Sequence, residues 1–170
     1  MPRPTPTDYA PFYQPYISKV DGDSLHAALN QYSRASLSFW QNIPEDKGNY
    51  AYAHGKWTIK QVLNHLCDAE RIFAYRALRI ARGDETPLPG FDENDYAEAA
   101  QTDHRTLKEL VHEFQSVRSA TLSLFNSFGE TELSRFGNAN GAKVSVNAIG
   151  FMIIGHTLHH ETVVKERYAV

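Results

Sequence analysis

Four stretches of the chain carry hydrophobic residues every three or four positions, the spacing that places them on one face of an α-helix. We predict helices over about residues 23–43, 58–82, 103–128 and 145–168. The stripe of the third helix, for example, begins with Leu107, Leu110, Val111 and Phe114. No window shows the sustained alternation of a β-strand, so the pattern predicts an all-α protein built as a four-helix bundle.

Capping signals support two of these helix starts. Thr58 and Gln61 have the spacing of a capping box, in which each side chain bonds the other residue's backbone N–H. Ser145 is a suitable N-cap for the last helix, and Pro44 ends the first. The intervening segments are therefore predicted to be loops, including the glycine- and asparagine-rich stretch before Ser145.

Two segments fall outside the helical pattern. Residues 1–20 are rich in proline and tyrosine, and we predict an extended arm that lies on the body of the protein. Residues 83–101 form a linker longer than a helical hairpin requires, so it is expected to cross one end of the bundle. With 170 residues, 42% of them hydrophobic, the chain is predicted to form one domain over 1–170.

Charge and composition disfavour several classes of function. The 17 basic and 20 acidic residues nearly balance, whereas nucleic-acid binding requires a basic surface. The longest apolar run, AIGFMIIG at 148–155, is too short to span a membrane. Cys67 has no partner for a disulfide, and the N-terminus lacks the apolar core of a signal peptide, so we expect a cytoplasmic protein.

The clearest chemical signal is the sequence GHTLHHETVVKERY near the end of the chain, with three histidines in five positions. His156 and His160 lie one turn apart and about 40° from each other, and both interrupt the apolar stripe of the last helix. His159 lies about 60° to the other side of His156. Periodicity alone leaves open whether His159 or His160 pairs with His156 to offer two nitrogens to one metal ion.

A third histidine in the second helix strengthens the case for a metal. His65 lies one turn before Ala69 on the buried stripe of that helix, so it also faces inward. Burying three imidazoles is costly unless each has a partner, and one divalent ion can serve all three. Solvated or boundary positions are favoured for the histidines at 26, 54, 104 and 112.

Neighbouring side chains add little to this proposed site. Asp68 can orient an imidazole, act as a ligand, or pair at the surface with Arg71 or Arg76. Cys67 lies about 200° around the helix from His65 and is predicted to pack elsewhere. Glu161 lies about 100° from His160 and is not expected to be a fourth ligand.

Taken together, the aromatic arm and the segments KWTIKQVLNHLCDAERIF, PLPGFDENDYA and GHTLHHETVVKERY resemble the DinB superfamily of DinB/YfiT-like metalloenzymes. The resemblance implies a bundle in up-down-down-up order with a divalent metal near one end. It further implies that the ligands are His65, His156 and His160, which assigns the pairing to His160 and leaves His159 a flanking role. It also points to a homodimer.

Three nitrogen ligands leave coordination positions open, as in catalytic rather than structural sites. Zinc, nickel, copper and iron all suit imidazole ligands. The resemblance to thiol-dependent relatives, such as bacillithiol and mycothiol S-transferases and a maleylpyruvate isomerase, favours an enzyme that activates a low-molecular-weight thiol for transfer to a small-molecule substrate. The alternatives are a metal-dependent hydrolase and a non-catalytic metal-binding or stress-response dimer.

Overall fold

The computed structural model describes residues 1–168 and contains the four predicted helices. The elements occur in the order α1 (Gln14–Ile17), α2 (Leu25–Gln41), α3 (Ile59–Ala81), α4 (Glu93–Ala99), α5 (Leu107–Asn126), α6 (Glu130–Leu133), β1 (Phe136–Ala139), β2 (Ala142–Ser145) and α7 (Val146–Arg167). The long helices α2, α3, α5 and α7 form the bundle. The predicted all-α fold class is confirmed. Across residues 1–168, every helix is too short or too polar to pass through a lipid bilayer.

Capping side chains determine where the long helices begin. The Thr58 hydroxyl accepts the N–H of Gln61, and the Gln61 side chain accepts the N–H of Thr58, as the sequence predicted. Ser145 caps α7 by accepting the N–H of Ala148. Thr106 and Glu109 form a second capping box, which starts the third long helix a few residues later than the predicted position 103. These bonds satisfy backbone donors that a helix start leaves without partners.

Contacts between helix ends give the helix directions. At the start of α2, His26 Nε2 lies 3.3 Å from the carbonyl oxygen of Phe125 at the end of α5. At the end of α7, Lys165 Nζ lies 4.6 Å from the centre of the Phe39 ring near the end of α2. The Tyr168 hydroxyl, just after α7, donates at 2.8 Å to the carbonyl of Trp57, just before α3. Helix α2 is therefore antiparallel to α5 and parallel to α7, while α3 is antiparallel to α7. The bundle has the up-down-down-up order that the family resemblance implied.

A buried ion pair joins all four long helices. Arg118 on α5 donates two hydrogen bonds of 2.8 Å to the carboxylate of Glu70 on α3. It also donates to Thr157 on α7 at 2.9 Å and to Ser33 on α2 at 3.4 Å. We call these four residues the Arg118 network. Each member is buried, so the network crosslinks the middle of the bundle away from water.

The N-terminal arm is less extended than predicted. Residues Pro11–Tyr13 form one turn of 3-10 helix, and α1 follows directly. Both segments carry proline in their first turn, where the missing N–H would have no helical partner anyway. The prediction that this arm is extended was therefore wrong for residues 11–17.

The loop predicted before Ser145 contains a β-hairpin, which is a second correction. Strands β1 and β2 pair antiparallel around Asn140 and Gly141, both of which have positive φ angles. Asn-Gly is the preferred pair for such a tight turn, but strands of four residues are too short to show alternation in the sequence. The hairpin holds the 83–101 linker through two backbone hydrogen bonds to Leu88.

Candidate metal centre

Two antiparallel helices bring the three candidate histidines together. His65 lies in the second turn of α3, close to the Thr58 cap, and His156 and His160 lie one turn apart on α7. The Nε2 atom of His156 lies 3.1 Å from that of His65 and 3.1 Å from that of His160. Ligand nitrogens of this histidine triad all lie within 4.8 Å of one another. The three side chains can therefore reach one ion.

The spacing of the triad matches the requirements of a metal ion better than those of hydrogen bonding. Metal–nitrogen bonds of about 2.0–2.1 Å in tetrahedral geometry separate two nitrogens by about 3.3 Å, close to the observed contacts. Without an ion, Nε2 of His156 has either one hydrogen or one lone pair, so it cannot make two good hydrogen bonds at once. An ion that accepts three lone pairs satisfies all three nitrogens.

Burial keeps the triad in the protonation state that binds metal. It lowers the pKa of His65 to about 4 and, together with the charges of His65 and His159, that of His160 to about 3. Burial also holds the pKa of His156 well below its usual value, and its histidine neighbours add to the effect. All three imidazoles are therefore neutral at pH 7, and neutral imidazole is the form that ligates a metal.

The triad lies at the base of a pocket of about 340 Å³. Aromatic rings form most of its walls. The Trp57 ring lies 4.8 Å from that of His65, the Tyr16 ring 5.4 Å from that of His156, and the Phe73 ring 6.0 Å from that of His156. The remaining wall is formed by Phe12, Tyr13, Arg76, Phe91, Glu93, Asn140 and His159. This volume and lining are typical of a small-molecule site.

The N-terminal arm is part of this site because of a glycine beside His156. A Cβ atom placed on Gly155 would lie 2.0 Å from the backbone carbonyl oxygen of Tyr16. Only glycine therefore allows the arm to approach α7 this closely. The contact positions the Tyr16 ring between His156 and His159, at 5.4 and 5.2 Å.

The flanking candidates lie where the helical projection predicted. Cys67 is fully buried in the apolar core, away from the triad, and burial raises the pKa of its thiol. The Asp68 carboxylate accepts a 2.8 Å hydrogen bond from Asn64 and lies 3.5 Å from Arg71, so of the alternatives the surface pairing with Arg71 is observed. His159 is half-buried in the pocket wall.

Glu161 faces the interior of the bundle instead of the pocket. Its side chain is buried near Ser36 of α2, and burial raises the pKa of its carboxyl group. Neither Oε1 of Glu161 nor the Ser36 hydroxyl completes a hydrogen bond of standard geometry within residues 1–168. The prediction that Glu161 is not a fourth ligand agrees with this orientation.

Sequence reasoning missed much of the pocket wall. Phe73 and Arg76 follow His65 by eight and eleven residues and so lie within about 80° of it on α3. That periodicity could have indicated them, but Arg76 was considered only as a partner of Asp68. Tyr16 and Asn140 come from the arm and the hairpin turn, and their arrival in the pocket depends on tertiary contacts.

Comparison with known proteins identifies the family. The model of the DinB superfamily matches residues 28–163, a span that includes all three histidines. The chain belongs to the DinB superfamily. The resemblance drawn from the sequence motifs is thereby confirmed.

Individual relatives of this DinB superfamily member are distant in sequence. A protein of Oceanobacillus iheyensis and one of Geobacillus thermodenitrificans, both named "putative metal-dependent hydrolase", are 23% and 22% identical to it. The matches cover 84% of both chains in the first case, and 79% of this chain and 76% of the relative in the second.

Two solved structures of Bacillus subtilis proteins share the fold. YfiT, described as "a probable metal-dependent hydrolase with an unusual four-helix bundle topology", superposes with a TM-score of 0.69 at 15% identity, covering 96% of this chain and 89% of YfiT. A DinB-like protein superposes with a TM-score of 0.59 at 14% identity, covering 85% and 90%. Both show that the bundle topology is that of known DinB-like structures.

Proposed function

We propose that His65, His156 and His160 bind one divalent metal ion and that the protein is a metal-dependent enzyme. The observation that carries this proposal is the convergence of three neutral imidazoles, two of them buried and that of His160 half-buried, at the base of a pocket. Three protein ligands leave room for a further ligand, the arrangement of catalytic sites. Zinc, nickel, copper and iron all suit the donor set.

The reaction class that we propose is transfer of a low-molecular-weight thiol to an electrophilic small molecule. A bound divalent ion lowers the pKa of a thiol, or of water, that coordinates it. In such a transfer the thiol gives its proton to solvent, and its sulfur forms a bond to the electrophilic carbon as the bond between that carbon and its leaving group breaks, with the electron pair departing on the leaving group. The aromatic rings of the wall provide apolar surface for the reactants, beside the polar groups of the same pocket.

The acidic residues around the pocket favour thiol over water as the nucleophile. Hydrolytic metal sites commonly place a carboxylate beside the ion as a general base. Within residues 1–168 the only acid that lines this pocket is Glu93, which is exposed, whereas Asp68 and Glu161 are turned elsewhere. A coordinated thiol needs no such base because the metal alone suffices to deprotonate it.

Elemental analysis and conjugation assays test the proposal together. Protein purified from its native host without a nickel column should contain about one divalent ion per chain. The metal-loaded protein should then conjugate at least one of several cellular thiols to a chromogenic electrophile. His65→Ala should lose both metal and conjugation, whereas His54→Ala, which alters an exposed loop histidine, should keep both. Stoichiometric metal without conjugation by any thiol would contradict the transferase assignment.

Metal-dependent hydrolysis is the second candidate because the two relatives from Oceanobacillus and Geobacillus carry that name. A panel of ester, amide and phosphoester substrates, tested without thiol, distinguishes the two. Hydrolysis that depends on His65 and needs no thiol would replace the transferase proposal. Metal binding with neither activity would favour a non-catalytic metal-binding module.

We also propose that the protein forms a homodimer and acts in the cytoplasm, as the sequence led us to expect. Sedimentation equilibrium with the full chain tests the first proposal: a mass of about twice 19.2 kDa supports it, and a monomer contradicts it. Localisation of the tagged protein in its host tests the second.

A further inference from the structure

Two arginines are buried in the bundle, Arg118 on α5 and Arg76 on α3, and their environments differ. Arg76 is only 4% exposed, yet within residues 1–168 no carboxylate lies within 4.0 Å of its guanidinium. Buried arginines are rare unless they are paired with an acid, because taking the charge out of water is costly. The charge of Arg76 therefore lacks the compensation that Glu70 gives to Arg118.

The guanidinium of Arg76 lies in a polar corner of the pocket built from four segments. Its Nη2 donates to the Pro89 carbonyl of the linker at 2.6 Å. The Tyr13 hydroxyl of the arm lies beside Arg76 and the Asn140 side chain of the hairpin turn. A guanidinium has five N–H donors, of which the Pro89 carbonyl accepts one and the Tyr13 hydroxyl oxygen can accept another. The remaining donors are available to a ligand, because Arg76 lines the pocket.

This corner and the triad lie at opposite ends of one pocket. Arg76 follows His65 by eleven residues, so the Cα atom of Arg76 lies about 16 Å further along the axis of α3, on nearly the same face of the helix. The Phe73 ring lies between them, 6.0 Å from the His156 ring and 5.9 Å from the Arg76 guanidinium carbon. A flat molecule lying over Phe73 would therefore extend from one end to the other.

We propose that Arg76 is an anion anchor, and that the substrate is a small molecule with a carboxylate at Arg76, a flat apolar body over Phe73 and its reactive end at the triad. The last element rests on the proposed function, because it requires a metal at the triad. A fork of guanidinium donors matches a carboxylate in both charge and shape. One guanidinium, with the exposed Glu93 carboxylate on the same pocket, suits a single negative charge better than a phosphate dianion.

The anchor can be tested with two thiols that differ only in charge, 4-(mercaptomethyl)benzoate and 4-(mercaptomethyl)benzamide. Each is titrated into the cobalt(II)-loaded full chain, and the thiolate-to-cobalt charge-transfer band gives the dissociation constant. We expect the acid to bind about 10-fold or more tightly than the amide, the worth of charge-assisted hydrogen bonds in a buried site. Equal affinities would overturn the anchor.

Variants on α3 attribute the preference to one residue. Arg76→Gln should bind the amide as the wild type does and lose the preference for the acid. Arg76→Lys should keep a reduced preference, and it serves as the deciding variant should the glutamine protein not fold. Arg79 lies on the same helix but pairs with Asp84 outside the pocket. The control variant Arg79→Gln should therefore keep the full preference for the acid over the amide. A preference that survives in Arg76→Gln would show that another group, such as the metal, binds the carboxylate.

Failure of the metal proposal is recognised separately. If neither thiol gives a charge-transfer band in the wild type, the triad does not present a metal to thiols, and that part of the proposal is wrong. The anchor is then decided by quenching of tryptophan fluorescence with 4-methylbenzoate and 4-methylbenzamide, because Trp57, one of the two tryptophans, lines the pocket. Quenching that favours the acid in the wild type, and not in Arg76→Gln, supports the anchor, whereas equal quenching overturns it.

Discussion

The bundle buries two polar clusters that differ in how completely their members are satisfied. In the Arg118 network, the guanidinium donates three hydrogen bonds to the Glu70 carboxylate, and the Ser33 and Thr157 hydroxyls accept further N–H groups. In the histidine triad, Nε2 of His156 faces two other ring nitrogens but has only one hydrogen or one lone pair to offer, so the contacts are not both satisfied by hydrogen bonds. A closed cluster stabilises the fold, whereas an open one requires a ligand.

The Arg118 network and the histidine triad are neighbours on α7. Thr157 of the network directly follows His156 of the triad on α7, yet the two side chains face different surroundings. Thr157 contacts Arg118 inside the bundle, while His156 contacts Tyr16 and Phe73 at the pocket. We infer that the network holds the helix backbones in place from inside the bundle, while the triad faces the pocket and stays open to a ligand.

Breaking the Arg118 network should have the largest effect on stability. Glu70→Ala leaves the buried Arg118 charge without its partner, and we expect the free energy of unfolding to fall by about 3–5 kcal/mol in urea denaturation. The double variant Glu70→Leu/Arg118→Met removes both charges and should recover most of that loss. A single variant as stable as the wild type would show that the network does not crosslink the bundle.

Removing one histidine should instead abolish the stabilisation conferred by metal. With free Zn²⁺ about 1,000-fold above the dissociation constant, the wild type should gain about 4 kcal/mol in unfolding free energy. His65→Ala should gain almost none, and His54→Ala should respond as the wild type does. Thermal unfolding with and without Zn²⁺, in buffer free of chelator, measures the difference. An undiminished zinc response in His65→Ala would exclude the triad as the metal site.

Substituting Gly155 should separate the arm from the site without touching a ligand. The Cβ of Gly155→Ala would overlap the Tyr16 carbonyl oxygen, so we expect a loss of about 1–3 kcal/mol and faster amide hydrogen exchange in residues 12–18. A matched control is Gly150→Ala, which adds the same methyl group to α7 but against the Leu25 and Phe125 side chains instead of the arm. Unchanged exchange in Gly155→Ala would show that the arm does not depend on this contact.

The smallest effect is expected at Glu161, a buried carboxyl group outside both clusters. Glu161→Gln keeps the shape and removes the charge that burial disfavours, so stability should stay within about 1 kcal/mol of the wild type or rise slightly. Metal stoichiometry should not change, because Glu161 faces Ser36 rather than the triad. Loss of metal in this variant would make Glu161 part of the site.

Local sequence signals were sufficient wherever neighbouring residues decide the structure. The capping box at Thr58 and the N-cap at Ser145 were predicted because their partners lie three residues away. The inward direction of His65, His156 and His160 followed from helical periodicity, although the choice of His160 over His159 came from the family resemblance. Regular helices make such positions predictable, because a residue's face is fixed by its number.

Contacts between distant segments escaped the same reasoning. The Arg118 network needs one side chain from each long helix, and the polar corner at Arg76 needs the arm, the linker and the hairpin turn. The hairpin itself was missed because its strands are too short to show a pattern. None of these pairings has a fixed spacing in the chain.

By itself, the sequence determined the four helices, their apolar faces and the histidines able to face inward, since all three depend on spacing within one helix. Only the tertiary structure decided that ligand nitrogens of the three histidines meet within 4.8 Å, that the arm packs against α7 at Gly155, and that Arg118 is paired with a carboxylate while Arg76 is not. The physical reason is that burial and pairing depend on which surfaces pack together, and residues far apart in the chain provide those surfaces.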